Sequence, residues 1–125
     1  MTMFEPTEVE KYFREKYNPE CGAYIPPGWE DLVLKAEAVG LALYPDDFHV
    51  TQIKEKFGGL RFYFSPFDKL LIKLINVIEQ QSFHVCEWCG KPGELRKEGW
   101  YRTLCDVHLE EEKQGRRSWE PKLKD

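Results

Sequence analysis

Near its C-terminal end the chain reads CEWCGKPGELRKEGWYRTLCDVH, in which Cys86 and Cys89 are separated by two residues, as are Cys105 and His108, with fifteen residues between the pairs. Two residues between ligands let both reach one ion from a tight knuckle, and Gly90, directly after Cys89, relieves that knuckle. Three thiolates and one imidazole suit a tetrahedral Zn²⁺. Between the pairs, residues 94–97 and 100–104 are expected to form a hairpin turning near Glu98-Gly99. Cys105 and His108 are three apart and would share the first turn of a helix, with Asp106 at its start and Gly115 at its end. Knuckle, hairpin and ligand-bearing helix describe a treble-clef-like finger. With all four positions filled by protein, no place is left for an activated water, so the expected cofactor is a structural zinc ion. In small modules of this kind zinc contributes apparent binding free energies of about 10–16 kcal/mol to folding. A metal-free cluster of reduced cysteines is the alternative, and the single histidine disfavours an iron–sulfur centre.

Cysteine placement also bears on compartment. Cys21 is far from the other three, whereas a secreted disulfide framework would spread paired cysteines over the fold. The start, MTMFEPTEVEKYF, has no cationic segment followed by an apolar stretch, so no secretory signal is expected. The most apolar stretch, residues 70–78, is interrupted by Lys73 and Asn76 and is too short for a bilayer. A cytoplasmic protein with no membrane partner is the expectation. The net charge of −4 argues against a protein built to coat nucleic acid. The charge is uneven, with ten acidic and four basic side chains in residues 1–47 but two acidic and five basic in residues 48–73.

The rest of the chain reads as a small α+β body, helices packed on a small antiparallel sheet, with the finger appended. The expected division is 1–83 for the body, 84–115 for the zinc module and 116–125 for a polar tail that is loose unless Trp119 docks. Thr7 and Glu10 form a capping box for a helix over 7–17, ended by Asn18-Pro19. Trp29, Leu32, Val33, Ala36, Val39 and Leu43 make one stripe of a second helix, with Glu37 outside it and Gly40 weakening its last turn. Residues 48–56 and 60–65 predict a hairpin around Phe57-Gly58-Gly59. Gln52 and Lys54 break the alternation begun at Val50, which suggests an edge strand or a bulge. A third helix over 67–82 carries Phe67, Leu70, Leu71, Leu74, Ile75 and Ile78 as its core stripe. Trp100 is expected to pack the finger against the body.

Few other residues suggest chemistry. Cys21 reads as a buried thiol, His49 is isolated, and His84 is a spare ligand at most. Treble clefs also serve as nuclease cores, but residues 94–104 contain no histidine or aspartate for a one-metal site. No enzyme and no small-molecule substrate are expected. Lys54, Lys56 and Arg61, interleaved with Phe57, Phe62 and Tyr63, could hold phosphates and stack a base. Arg96, Lys97 and Arg102, with Arg116 and Arg117, could extend that basic surface, although Glu110-Glu111-Glu112 would repel phosphate. The competing reading is a solvated strand face.

The segments IKEKFGGLRFYF at 53–64, CEWCGKPGELR at 86–96 and GWYRTLCDVH at 99–108 resemble a family of small uncharacterised proteins of bacteria, bacteriophages and prophages, and PPGWEDLV at 26–33 looks like that family's entry to a helix. The resemblance implies the zinc site and the fold, and no reaction. The link to mobile elements implies an accessory role, such as modulating a host or defence protein. The expectation is therefore a non-enzymatic, zinc-stabilised protein that binds, and could inhibit, a macromolecular partner, a protein first, with nucleic acid as the alternative.

Overall fold

A reciprocal cap opens the first helix. In this computed structural model, which describes residues 7–17 and 22–115, the Thr7 hydroxyl accepts from the Glu10 amide at 3.1 Å and the Glu10 carboxylate accepts from the Thr7 amide at 2.9 Å. Helix α1 (Glu8–Lys16) follows and buries Phe13. The Glu10 carboxylate also accepts from the Ile25 amide at 2.7 Å, so the cap pins the loop leading to the next helix. The expected stop at Asn18-Pro19, the thiol of Cys21 and the tail with Arg116, Arg117 and Trp119 lie outside the described residues.

After a 3₁₀ turn at Pro27–Trp29, helix α2 (Glu30–Leu43) turns Val33 and Ala36 inward, with Trp29 buried at its entry. Two expectations for this helix are corrected. Leu43 is exposed, and Glu37 is buried rather than outward. The Glu37 carboxylate can lie inside because the Tyr12 hydroxyl donates to it at 2.8 Å, Lys16 Nζ at 3.1 Å and the Tyr17 hydroxyl as well. Burial, then this bond and charge, push the Tyr17 phenol far above its ordinary value.

Strands β1 (His49–Lys56) and β2 (Gly59–Ser65) form an antiparallel hairpin whose register slips between Val50 and Gln52. That bulge explains the broken alternation: one extra residue resets the parity, so Val50 and Ile53 both enter the core while Gln52 and Lys54 face outward. Phe57 (φ 55°) and Gly58 (φ 81°) make the connection with two successive left-handed residues. Both strand edges are covered. The Tyr24 amide donates to the Ile53 carbonyl on one side. On the other, the amides of Leu60 and Phe62 donate to Ser82 Oγ and the Glu79 carboxylate, both at 2.8 Å.

Helix α3 (Lys69–Gln81) starts at Asp68, whose carboxylate caps the Leu71 amide at 3.0 Å. Its core stripe is narrower than expected. Leu71, Ile75 and Ile78 are buried, but Phe67 precedes the helix and is 85% exposed, and Leu70 and Leu74 are exposed too. At about 100° per residue the three buried side chains cluster in one arc, and Leu70 and Leu74 fall on its shoulder.

The finger has its own two-stranded sheet, β3 (Glu94–Arg96) antiparallel to β4 (Arg102–Leu104), followed by helix α4 (Asp106–Lys113). The described residues are thus α+β, with four α-helices and two small antiparallel sheets. No helix among the described residues is long and apolar enough to cross a membrane.

Finger and body meet through polar backbone contacts rather than through Trp100. The Gly28 amide donates to the Glu87 carbonyl at 2.7 Å, Trp29 Nε1 donates to the Val85 carbonyl at 2.8 Å and Thr103 Oγ1 donates to the Gly58 carbonyl at 2.7 Å. A Cβ on Gly28 would stand 1.9 Å from the Cys86 carbonyl oxygen, so only glycine permits the approach. Trp100, expected at this junction, is 77% exposed. Strand β4 begins only at Arg102, so Trp100 belongs to the turn after Gly99 and escapes the strand alternation.

Candidate metal centre

The knuckle closes with a 3.0 Å hydrogen bond from the Gly90 amide to the Cys86 carbonyl, and Gly90 has φ 78°. This brings Cys86 and Cys89 to one side, and α4, entered at Cys105, brings Cys105 and His108 to meet them. The ligand atoms of Cys86, Cys89, Cys105 and His108 all lie within 4.8 Å of one another, the one such cluster among the described residues. Cys89 Sγ is 3.9 Å from Cys105 Sγ, and His108 Nδ1 is 3.2 Å from Cys105 Sγ and 3.5 Å from Cys86 Sγ. A tetrahedral ion with metal–sulfur bonds of about 2.3 Å and metal–nitrogen bonds of about 2.0–2.1 Å sets edges of about 3.8 Å and 3.6 Å. The set can hold a metal ion with little adjustment.

Burial pushes the Cys86 thiol up to about 11, against the pull of the Cys105, Cys89 and Trp88 amides that point at its sulfur. At Cys105 burial also acts upward, but the His108 amide and the neighbouring thiols outweigh it and bring that thiol below its ordinary value. Three thiols and an imidazole converge here, from buried Cys86 to exposed Cys89, and a cation would favour the thiolate form at each sulfur. His108 presents Nδ1 to the sulfurs, and its Nε2 faces the Glu111 carboxylate at 4.0 Å, beyond hydrogen-bond distance. Trp88 lies against the same ring, centroid to centroid 4.1 Å. His84, the spare-ligand candidate, is exposed and outside the cluster, and His49 sits against Tyr17.

The sequence did not announce the roles of Glu87 and Trp88, between the first two ligands. Glu87 is fully buried. Its carboxylate accepts from the Thr103 amide at 2.7 Å and from Arg102 Nε at 3.3 Å, and Arg102 NH2 lies 3.1 Å from the Glu112 carboxylate. This chain of charges ties knuckle, β4 and α4 together around the cluster of three cysteines and one histidine. The only signal was an acid inside a two-residue spacer, where one side chain must face inward.

That network corrects one candidate contact. Arg102, read as part of an exposed basic surface, is buried between Glu87 and Glu112. Arg96 is also engaged, with Asp106 at 3.0 Å, Glu94 at 3.3 Å and the Leu104 carbonyl at 2.9 Å. The structure groups the other three on the outer face of the β1–β2 hairpin. Lys54 is paired across from Arg61, Lys54 Nζ lies 5.6 Å from the Tyr63 ring centre and Lys56 Nζ 5.5 Å from that of Phe57.

No protein-family model matches the chain, and no curated protein or solved structure is significantly similar to it.

Proposed function

We propose that Cys86, Cys89, Cys105 and His108 hold one structural Zn²⁺ in a treble-clef-like finger, and that the chain is a non-enzymatic accessory protein whose task is to bind a macromolecular partner. The carrying observation is the closed donor set: three sulfurs and one nitrogen at near-tetrahedral spacing, with every position supplied by protein. Such an ion stiffens a surface and activates no water. A cytoplasmic setting suits it, because reduced thiols remain available to the metal there. The resemblance to proteins of bacteria and their phages favours a host or defence protein as the target. A protein is preferred to nucleic acid because Arg96 and Arg102 are both spent on carboxylates, which shrinks the basic surface. The test is affinity capture from the native host with the zinc-loaded chain, with and without nuclease. Retention of a specific protein after nuclease treatment supports the reading, and loss of everything captured makes nucleic acid the partner.

A further inference from the structure

The turn of the β1–β2 hairpin and the turn of the finger hairpin stand side by side, with a cleft of about 600 Å³ between them, lined by Glu55, Lys56, Phe57, Gly99, Trp100 and Tyr101. That volume lies within the range of sites that receive ligand groups. Its aromatic walls are open: Trp100 is 77% and Phe57 64% exposed, and the Phe57 and Tyr101 rings meet edge to face at 6.5 Å. Phe57 is placed there against its backbone preference. Its φ of 55° is a left-handed conformation that turns of this kind give to glycine or asparagine, and a bulky side chain there costs stability. An aromatic ring held in solvent at a conformational cost serves something other than the fold.

Charge around the cleft selects the occupant. Glu55 turns its carboxylate back on the Gly58 amide at 2.7 Å. Against that one carboxylate stand three cations, Lys56 on the lip, Lys54 two residues back on the same strand face and Arg61 paired across from Lys54. Three cations neutralise at most three phosphates, a salt slope of only about −2.1 to −2.7, which is weak for holding nucleic acid on an acidic chain at physiological salt. They are enough to orient a peptide bearing carboxylates, while aromatic walls take an apolar anchor, as interface hot spots do.

We propose that this cleft docks a segment of a partner protein that carries a large apolar anchor flanked by acidic residues. The proposal rests on reading the chain as a partner-binding protein and names the site and the chemistry recognised.

The probes are short fluorescein-labelled peptides with a central Leu, Phe or Trp flanked by aspartate and glutamate, their lysine-flanked counterparts, and an equally labelled oligothymidylate. Each is titrated by anisotropy against the full-length, zinc-loaded protein at about 150 mM salt. At least one acidic peptide should bind, and its lysine counterpart should not. Trp100→Ala and Phe57→Gly should each weaken binding by about tenfold or more, as loss of a hot-spot side chain does. Phe57→Gly should at the same time raise the melting temperature, a combination that a purely structural Phe57 would not give. Failure of every acidic peptide, equal binding of the lysine versions, or undiminished affinity in Phe57→Gly overturns the proposal. If a nuclease-resistant partner is still captured by the Trp100→Ala protein, the cleft is wrong and the partner-binding reading stands. Oligothymidylate binding that is lost in the Lys54→Glu, Lys56→Glu double variant overturns both.

Discussion

The hydroxyl of Thr103, in the finger's second strand, donates a 2.7 Å hydrogen bond to the carbonyl of Gly58, in the turn of the body's hairpin. Both residues are buried, so neither group has water as an alternative partner. Thr103→Val keeps the shape and orphans the carbonyl, which should cost about 1–3 kcal/mol in chemical denaturation. Gly58→Ala should be worse than a simple loss of flexibility. Its backbone is at φ 81°, and the new methyl would stand 2.5 Å from Leu95 Cδ1. Wild-type stability in either variant would show that the two hairpins do not support one another.

Glu87 and Arg102 make the second prediction. Removing one member of a buried ion pair leaves an uncompensated charge and typically costs about 3–5 kcal/mol. Glu87→Ala should fall in that range and should also loosen β4, because the Thr103 amide loses its acceptor. Glu87→Gln retains an acceptor and should be milder. Denaturant melts of the two variants side by side measure the difference.

The tryptophans should part company. Trp29 is fully buried and donates to the Val85 carbonyl, so Trp29→Ala should cost about 3–5 kcal/mol. Trp100 is mostly in solvent, and Trp100→Ala should change stability by no more than about 0.5 kcal/mol. Equal destabilisation by the two would place Trp100 in the core after all.

What the sequence could and could not disclose divides by range. The ligand tetrad, the Thr7–Glu10 cap and the finger hairpin are local patterns with fixed spacing, and each reappears in the structure, whereas in the Phe57-Gly58-Gly59 connection the left-handed residues are Phe57 and Gly58, not the two glycines. The disturbed alternation at Gln52 and Lys54 was legible as a possible bulge, and it is one. Burial was less legible because it depends on what lies opposite. Leu70 and Leu74 fit an apolar stripe, but the helix is covered only along Leu71, Ile75 and Ile78. Glu37, Glu87 and Arg102 look like surface charges until their partners, distant in sequence, are known. Trp100 would be buried in a strand starting at residue 100, but the strand starts at Arg102, and the sequence carries no local mark of that two-residue difference.

Loss of one ligand should affect only part of the chain first. Cys86→Ser or Cys105→Ser should unfold residues 84–115, seen as early amide exchange there. The core around Phe13, Val33 and Ile75 should outlast them, since the buried hydrophobic cluster to which these belong includes none of the four cluster residues Cys86, Cys89, Cys105 and His108. Uniform native protection across 84–115 in the serine variants would mean that the ligands do not carry the finger.

The most direct measurement is elemental analysis of the freshly purified, reduced, full-length protein. One zinc per chain is the predicted result, released when Cys86 or Cys105 is replaced by serine. Protein that is folded and contains no metal, or that contains iron in place of zinc, would contradict a structural zinc finger and with it the account built on that centre.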